Sequence, residues 1–164
     1  MPETSSSPSL DTLDRLILSI LQADGRISNA ELARKINLSP PACHVRLKRL
    51  EEAGYIRQYA ALLDPEMLGY DILCFINVSL QRHTFEQVEQ FRKQIRGMQE
   101  VLECYHITGE FDYLLKVVIR NRKDLERFVV DKLTPLPGVA RIYTSLALTV
   151  VKSGTAIPIP PEGQ

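Results

Sequence analysis

The chain has 164 residues, 45% of them hydrophobic and 24% charged, and its 20 basic side chains balance 20 acidic ones. That length and composition suit two small globular domains and exclude a chain too polar to fold. No run of about 18 apolar residues and no basic-then-apolar leader occurs, so neither a membrane span nor a secretory signal is predicted and a cytoplasmic location is expected.

Residues 1–9 are rich in Ser and Pro and are expected to be a flexible arm. A helix-turn-helix is predicted over 10–54. Leu13, Leu16, Ile17, Ile20 and Leu21 recur at the spacing of an amphipathic helix that Asp24-Gly25 ends. Ser28 and Glu31 form a capping-box pattern ahead of Leu32, Ala33 and Ile36, a short second helix closing at Asn37-Leu38. Ser39 is a good N-cap and Pro40 suits the first helical position, so a third helix runs from there to Gly54.

In that third helix Cys43, Leu47 and Leu50 share one face, leaving Pro41, His44, Val45 and Lys48 on another. Between Arg26 and Leu50 stand six basic residues and one acid, Glu31, a local basic patch in a neutral chain. We read the second face as entering the major groove of double-stranded DNA, with His44, Val45 and Lys48 at base edges. Arg26, Ser39, Arg46, Arg49 and the positive helix end would hold phosphates. A basic run also suits a merely solvated helix face; the short turn between capped helices favours DNA.

Residues 55–71 are a connector: Tyr55 to Leu63 predict a strand, and Asp64-Pro65 a turn and hinge. Over 72–152 the pattern reads strand (72–80), helix (Val88, Phe91, Ile95), strand (101–108), turn, strand (113–119), helix (Leu125, Phe128, Val129, Leu133) and strand (139–151). The sum is an α+β chain whose second domain is a ferredoxin-like βαββαβ unit, helices on one sheet face. Leu73, Phe75, Tyr105, Ile107 and Tyr143 fall on the other face, which a sheet-to-sheet dimer would cover. Residues 153–164, with Ile157-Pro158-Ile159-Pro160-Pro161, are expected to be an extended tail.

Two sets of motifs carry a family resemblance. The first is Leu10-Asp11-x-x-Asp14-x-x-Ile17-Leu18, Gly25-Arg26-Ile27-Ser28, Glu31-Leu32-Ala33, Leu38-Ser39-Pro40, Arg46 to Glu51 and Gly54-Tyr55-Ile56. The second is Thr108 to Leu115, Leu136-Pro137-Gly138-Val139 and Thr144-Ser145. Over about residues 10–157 the chain resembles the Lrp/AsnC family of feast/famine transcription regulators, its second half their regulation-of-amino-acid-metabolism (RAM) domain. The resemblance implies that the connector strand pairs with a partner chain, that homodimers bind pseudo-palindromic sites and assemble further, commonly to octamers, and that an amino-acid effector binds the second domain where dimers meet.

The chemistry of such a site can be read from the turn. An amino acid needs backbone N–H donors for its carboxylate beside an acceptor for its ammonium. Gly109 permits close backbone approach and Asp112 can take the ammonium, with Thr108, Glu110, Phe111, Tyr113 and Ser145 as neighbours, some from another subunit. Gly and Asp are equally the residues of an ordinary hairpin turn.

Cys104 and His106 share a strand face, but neither His44 nor His83 completes a zinc set, and Cys43, Cys74 and Cys104 contain no CxxC pair. No phosphate-binding loop, hydrolase elbow or paired-carboxylate motif occurs, so no enzyme, metal or cofactor is expected. Two functions remain: an effector-responsive regulator, and an architectural DNA-binding protein whose second domain only oligomerises. Effector identity, operator, sign of regulation and oligomer size are not legible in the sequence.

Overall fold

The computed structural model describes residues 9–82 and 84–161, so most of the expected N-terminal arm, His83 and the end of the tail lie outside the described residues. The chain divides into two compact units, Met1–Leu62 with Lys152–Gln164, and Leu63–Val151.

The first unit is built on α1 (Thr12–Ala23), α2 (Asn29–Lys35) and α3 (Pro40–Glu52). Each helix starts where a side chain takes up an unpaired backbone N–H: Asp11 accepts from Asp14, Ser28 from Glu31 and Ser39 from Ala42. The reciprocal capping box is at Asp11 and Asp14, a pairing that the apolar spacing of α1 does not reveal. After α2, Asn37 adopts φ 55° while Leu38 N–H donates to Ala33 O and Asn37 N–H to Arg34 O, a Schellman closure that makes the sharp turn into α3. Gly54 closes α3 the same way at φ 78°, a left-handed conformation that favours glycine.

Ile17, Leu32, Ala33, Ile36, Cys43 and Leu50 form this unit's core. Leu16, which the helical spacing put on the buried stripe, is 42% exposed, and Leu18 joins the partly buried residues packed on the core instead. The strand predicted for Tyr55 to Leu63 does not form within this chain. The segment has no regular secondary structure, no strand lies beside it among the described residues, and Tyr59, Leu62 and Leu63 are exposed. A strand needs a neighbour to complete its ladder. The tail returns to the helices: the side-chain amide of Gln22 donates to Ile157 O at 3.0 Å, and Ile157 N–H donates to Gln22 Oε1 at 2.6 Å.

The second unit contains β1 (Ile72–Leu80), α4 (Phe85–Arg96), β2 (Val101–His106), β3 (Tyr113–Ile119), α5 (Arg122–Arg127) and β4 (Val139–Leu146). The sheet is antiparallel in the order β2-β3-β1-β4, the ferredoxin-like arrangement. Period-2 alternation puts Cys74, Ile76, Val78 and Leu80 of β1 into one core with Phe91 and Ile95 of α4, Leu115 and Val117 of β3, and Phe128 and Leu133. The helix expected around Leu125 to Leu133 changes form midway, α5 giving way to a π-helical turn at Phe128–Leu133. β4 stops at Leu146 rather than reaching Val151: Leu146 pairs with Cys74 and Ala147 N–H with Leu73 O, where β1 runs out.

The opposite face of the sheet has no cover within the unit. Leu73, Phe75 and Asn77 of β1 stand there beside Leu114 and Lys116 of β3, Tyr105 of β2 and Tyr143 of β4. Tyr105 and Tyr143 are 50% and 59% exposed.

Candidate nucleic-acid interface and ligand site

Along α3 the outward face is well defined. Pro41, His44, Val45 and Lys48 are all exposed, Val45 at 67%, while Cys43 and Leu50 are fully buried on the other side. Lys48 meets Glu52 one turn on at 3.6 Å, a solvent-exposed pair that competes weakly with another partner. The Ser39 hydroxyl accepts from Ala42 N–H at 3.4 Å and keeps its own proton to donate. Arg26 is exposed on the α1–α2 turn, its backbone N–H held by Asp24.

Arg46 and Arg49 are placed differently from these. Arg46 Nη1 lies 3.0 Å from Asp14 Oδ1 and 2.5 Å from Asp11 Oδ2, and Arg49 Nη2 donates to Asp14 Oδ2. The Asp14 side chain is completely buried. The Asp14 N–H and the Arg46 guanidinium hold the Asp11 carboxyl below its ordinary range. Two of the three arginines expected at phosphates, Arg46 and Arg49, are therefore paired with α1. The signal was present as two acids, Asp11 and Asp14, at the start of an apolar stripe, but nothing in the spacing identified their partners.

At the other site the turn after β2 folds back onto β1. Gly109 takes φ 119° with open space where a Cβ would stand. Ile107 N–H donates to Asp112 O, and Asp112 N–H to Val78 O at 3.0 Å. Asp112 Oδ2 accepts from Leu80 N–H at 2.7 Å, beside a register shift between Ser79 and Leu80. The Ser79 hydroxyl donates to Glu110 O, Arg141 donates to Glu110 Oε1 at 2.7 Å, and the Arg141 guanidinium lies 4.6 Å from the Phe111 ring centre. Phe111 in turn stands 6.2 Å from Tyr143. Glu110, Phe111 and Asp112 are thus gathered with Ser79, Arg141 and Tyr143, three residues that depend on strand register and are invisible to sequence spacing.

The remaining expected neighbours are not drawn into that cluster. Thr108 is exposed on the turn. Tyr113 is buried on the helix-covered face, where its hydroxyl accepts from Arg92 Nε at 3.2 Å and its ring lies 5.0 Å from His106 and 4.7 Å from Phe91. It borders an open groove of about 480 Å³ between α4 and β2. Ser145 pairs with Phe75, four residues beyond Arg141 and so about 13 Å further along the strand. Among the described residues no group of three or more His, Cys, Asp or Glu could hold a metal ion, and no helix is long and apolar enough to cross a membrane. Cys74 and Cys43 are buried and free; burial pushes the Cys74 thiol up to about 11.

Comparison with known proteins places both units. Residues 10–57 match a winged helix-turn-helix DNA-binding model and residues 73–157 the Lrp/AsnC ligand-binding domain. The leucine-responsive regulatory protein of Escherichia coli is 39% identical over 150 residues, 92% of each chain. A transcriptional regulator of Neisseria meningitidis solved with L-methionine superposes with a TM-score of 0.88 at 41% identity, covering 92% of this chain and 97% of that one. Escherichia coli AsnC gives 0.83 at 29% identity, covering 92% and 99%. The matches over both the helix-turn-helix and the ligand-binding βαββαβ unit make this chain a member of the Lrp/AsnC family of DNA-binding transcription regulators.

Proposed function

We propose that this regulator changes its DNA binding in response to an amino acid held at the Gly109–Asp112 turn. The observation that carries the reading is the likeness to a regulator that holds L-methionine, combined with a turn whose glycine leaves open space above its backbone. Backbone N–H groups near Gly109 and Thr108 would receive the effector carboxylate, and Asp112 its ammonium, since a carboxylate accepts several hydrogen bonds at once. Phe111 and Tyr143 offer apolar walls for a side chain. Ser145, remote from the turn in one chain, fits the reading as a residue supplied by another subunit, whereas Tyr113, next to Asp112, is turned under α4 and buried in its own chain.

Assembly follows from what one chain leaves unsatisfied. The segment 55–63 pairs with its copy in a partner, the open sheet face covers its counterpart, and the dimer reads a pseudo-palindromic DNA site with half-sites on successive major grooves. Further contacts between dimers build an octamer that completes the effector site. In the DNA complex Pro41, His44, Val45 and Lys48 face base edges, and Arg26 and Ser39 the phosphates. Residues 10–54 are the reader, 55–71 the connector and 72–152 the sensor.

The test is the melting temperature of the full chain with each amino acid in turn, methionine and leucine first. A ligand that binds only the folded state adds about 2.7 kcal/mol at a hundred times its Kd. A rise with one or a few amino acids, accompanied by changed affinity for DNA, is expected. No rise with any would leave the second domain as an oligomerisation module and the protein as an architectural DNA binder.

A further inference from the structure

Among the described residues of the first unit Asp14 is the buried charged side chain, and it lies on α1 rather than on α3. Its two oxygens are divided between the two arginines of α3: Oδ1 accepts from Arg46, Oδ2 from Arg49 and also from the Asp11 N–H at 3.1 Å. Arg46 further bridges to Asp11 at 2.5 Å, so α1 holds α3 through a four-membered charged cluster. The arginines are three residues apart on one side of α3, with Val45 beside Arg49 at i, i+4 and Lys48 further round toward the reading face. A buried carboxylate demands partners, and a planar guanidinium meets it in fixed geometry. The cluster therefore sets the rotation of α3 about its own axis and occupies two positive groups that would otherwise be drawn to phosphates.

We propose that Asp14 is a specificity-determining positioning residue: by clamping Arg46 and Arg49 it presents His44, Val45 and Lys48 to base edges and withholds two charges from sequence-independent DNA binding. The proposal rests on α3 being the helix that reads DNA. Removing the Asp14 charge frees Arg49 and leaves Arg46 held by Asp11 alone, while α3 loses its buried anchor. Specific binding then weakens as non-specific binding strengthens, two changes that a mere loss of stability would not produce together.

The experiment compares the full chain and its Asp14→Asn variant. The probes are the tightest duplex selected from random-sequence DNA and a mixed-sequence duplex of equal length, titrated across salt concentrations. Each additional phosphate neutralised steepens the log–log salt slope by about 0.9, so with Arg49 freed and Arg46 still on Asp11 the variant's non-specific slope should steepen by about 0.9. Its preference for the selected duplex should fall roughly tenfold or more, the size of one lost base contact. An unchanged slope and preference in a folded Asp14→Asn protein would overturn the proposal. Should that variant fail to fold, Arg49→Gln, altering a half-exposed side chain, carries the test: clamped Arg49 predicts an unchanged salt slope and reduced preference, whereas a slope shallower by about 0.9 places Arg49 on a phosphate and refutes the clamp. Loss of binding on Lys48→Ala checks separately that α3 is the reading helix; its absence would refute that reading and not the clamp chemistry.

Discussion

Asp112 is asked to serve both structure and recognition, and two substitutions separate the tasks. Its Oδ2 accepts from Leu80 N–H at 2.7 Å, tying the hairpin turn to the last residue of β1. A hydrogen bond to a charged acceptor contributes about 1.5–3 kcal/mol, so Asp112→Ala should lower the stability of the second unit by about 2 kcal/mol even without ligand. Asp112→Asn keeps an oxygen for Leu80 and should cost about 1 kcal/mol or less. Both remove the anion that, in the proposed site, faces the effector ammonium. If that contact supplies about 2.7 kcal/mol, binding weakens about a hundredfold. Amino acid at a hundred times the wild-type Kd then stands at the variant's Kd, and its stabilisation falls from about 2.7 to about 0.4 kcal/mol. Urea unfolding with and without the amino acid that raises the wild-type melting temperature measures both quantities. A folded Asp112→Asn protein retaining the full ligand-induced gain would refute the role given to this carboxylate, whatever its stability.

Lys48→Ala should weaken binding to a selected duplex and, if the side chain meets a base rather than a phosphate, leave the salt slope nearly unchanged while relaxing preference at one position per half-site; a uniform loss across sequences would put Lys48 on the backbone. Stability should fall at both ends of the pH scale. Asp11 is held below its ordinary range by the Asp14 N–H and Arg46, and Glu103 by Tyr105 and Lys116. At Glu100 burial pushes upward, but Lys132 and the backbone outweigh it and the net shift is also downward. These depressed acids stabilise the fold above their unfolded values near 4, and that contribution is lost as pH falls through the folded ones. At the alkaline end Cys74 stays protonated to about 11 in the fold, so above about pH 9 the unfolded chain releases a proton that the native one keeps. Stability then declines by up to about 1.4 kcal/mol per pH unit from this group. Urea midpoints between pH 3 and 10.5 check both arms, and Cys74→Ala should flatten the alkaline one; an unaltered alkaline slope in that variant would exclude the thiol as its cause.

What could be read before the structure was whatever local spacing encodes. Ser28, Ser39 and Gly54 mark helix ends because capping is satisfied within four residues, and Cys74, Ile76, Val78 and Leu80 betray a strand because alternate side chains share a face. Register is not local. Arg141 meets Glu110 only because β4 pairs with β1 in one particular alignment, and Ser145 misses the turn for the same reason. Arg46 and Arg49 look like phosphate ligands in a basic helix until the acids on α1 are seen beneath them. A charge count cannot distinguish a free guanidinium from one already neutralised.

The strand expected at Tyr55 to Leu63 and the uncovered sheet face point to one physical cause. Among the described residues both lack a partner: exposed backbone outside any ladder, and an apolar face bearing Phe75, Tyr105 and Tyr143 with no layer over it. Patterns of alternation are written into a sequence whether the partner strand or sheet belongs to the same molecule or to a copy. A prediction that fails inside one chain while its side-chain pattern persists is therefore a pointer to assembly. Under the proposed assembly these are the two surfaces that a second copy would cover, and that a dissociated monomer would expose to water at the cost of solubility.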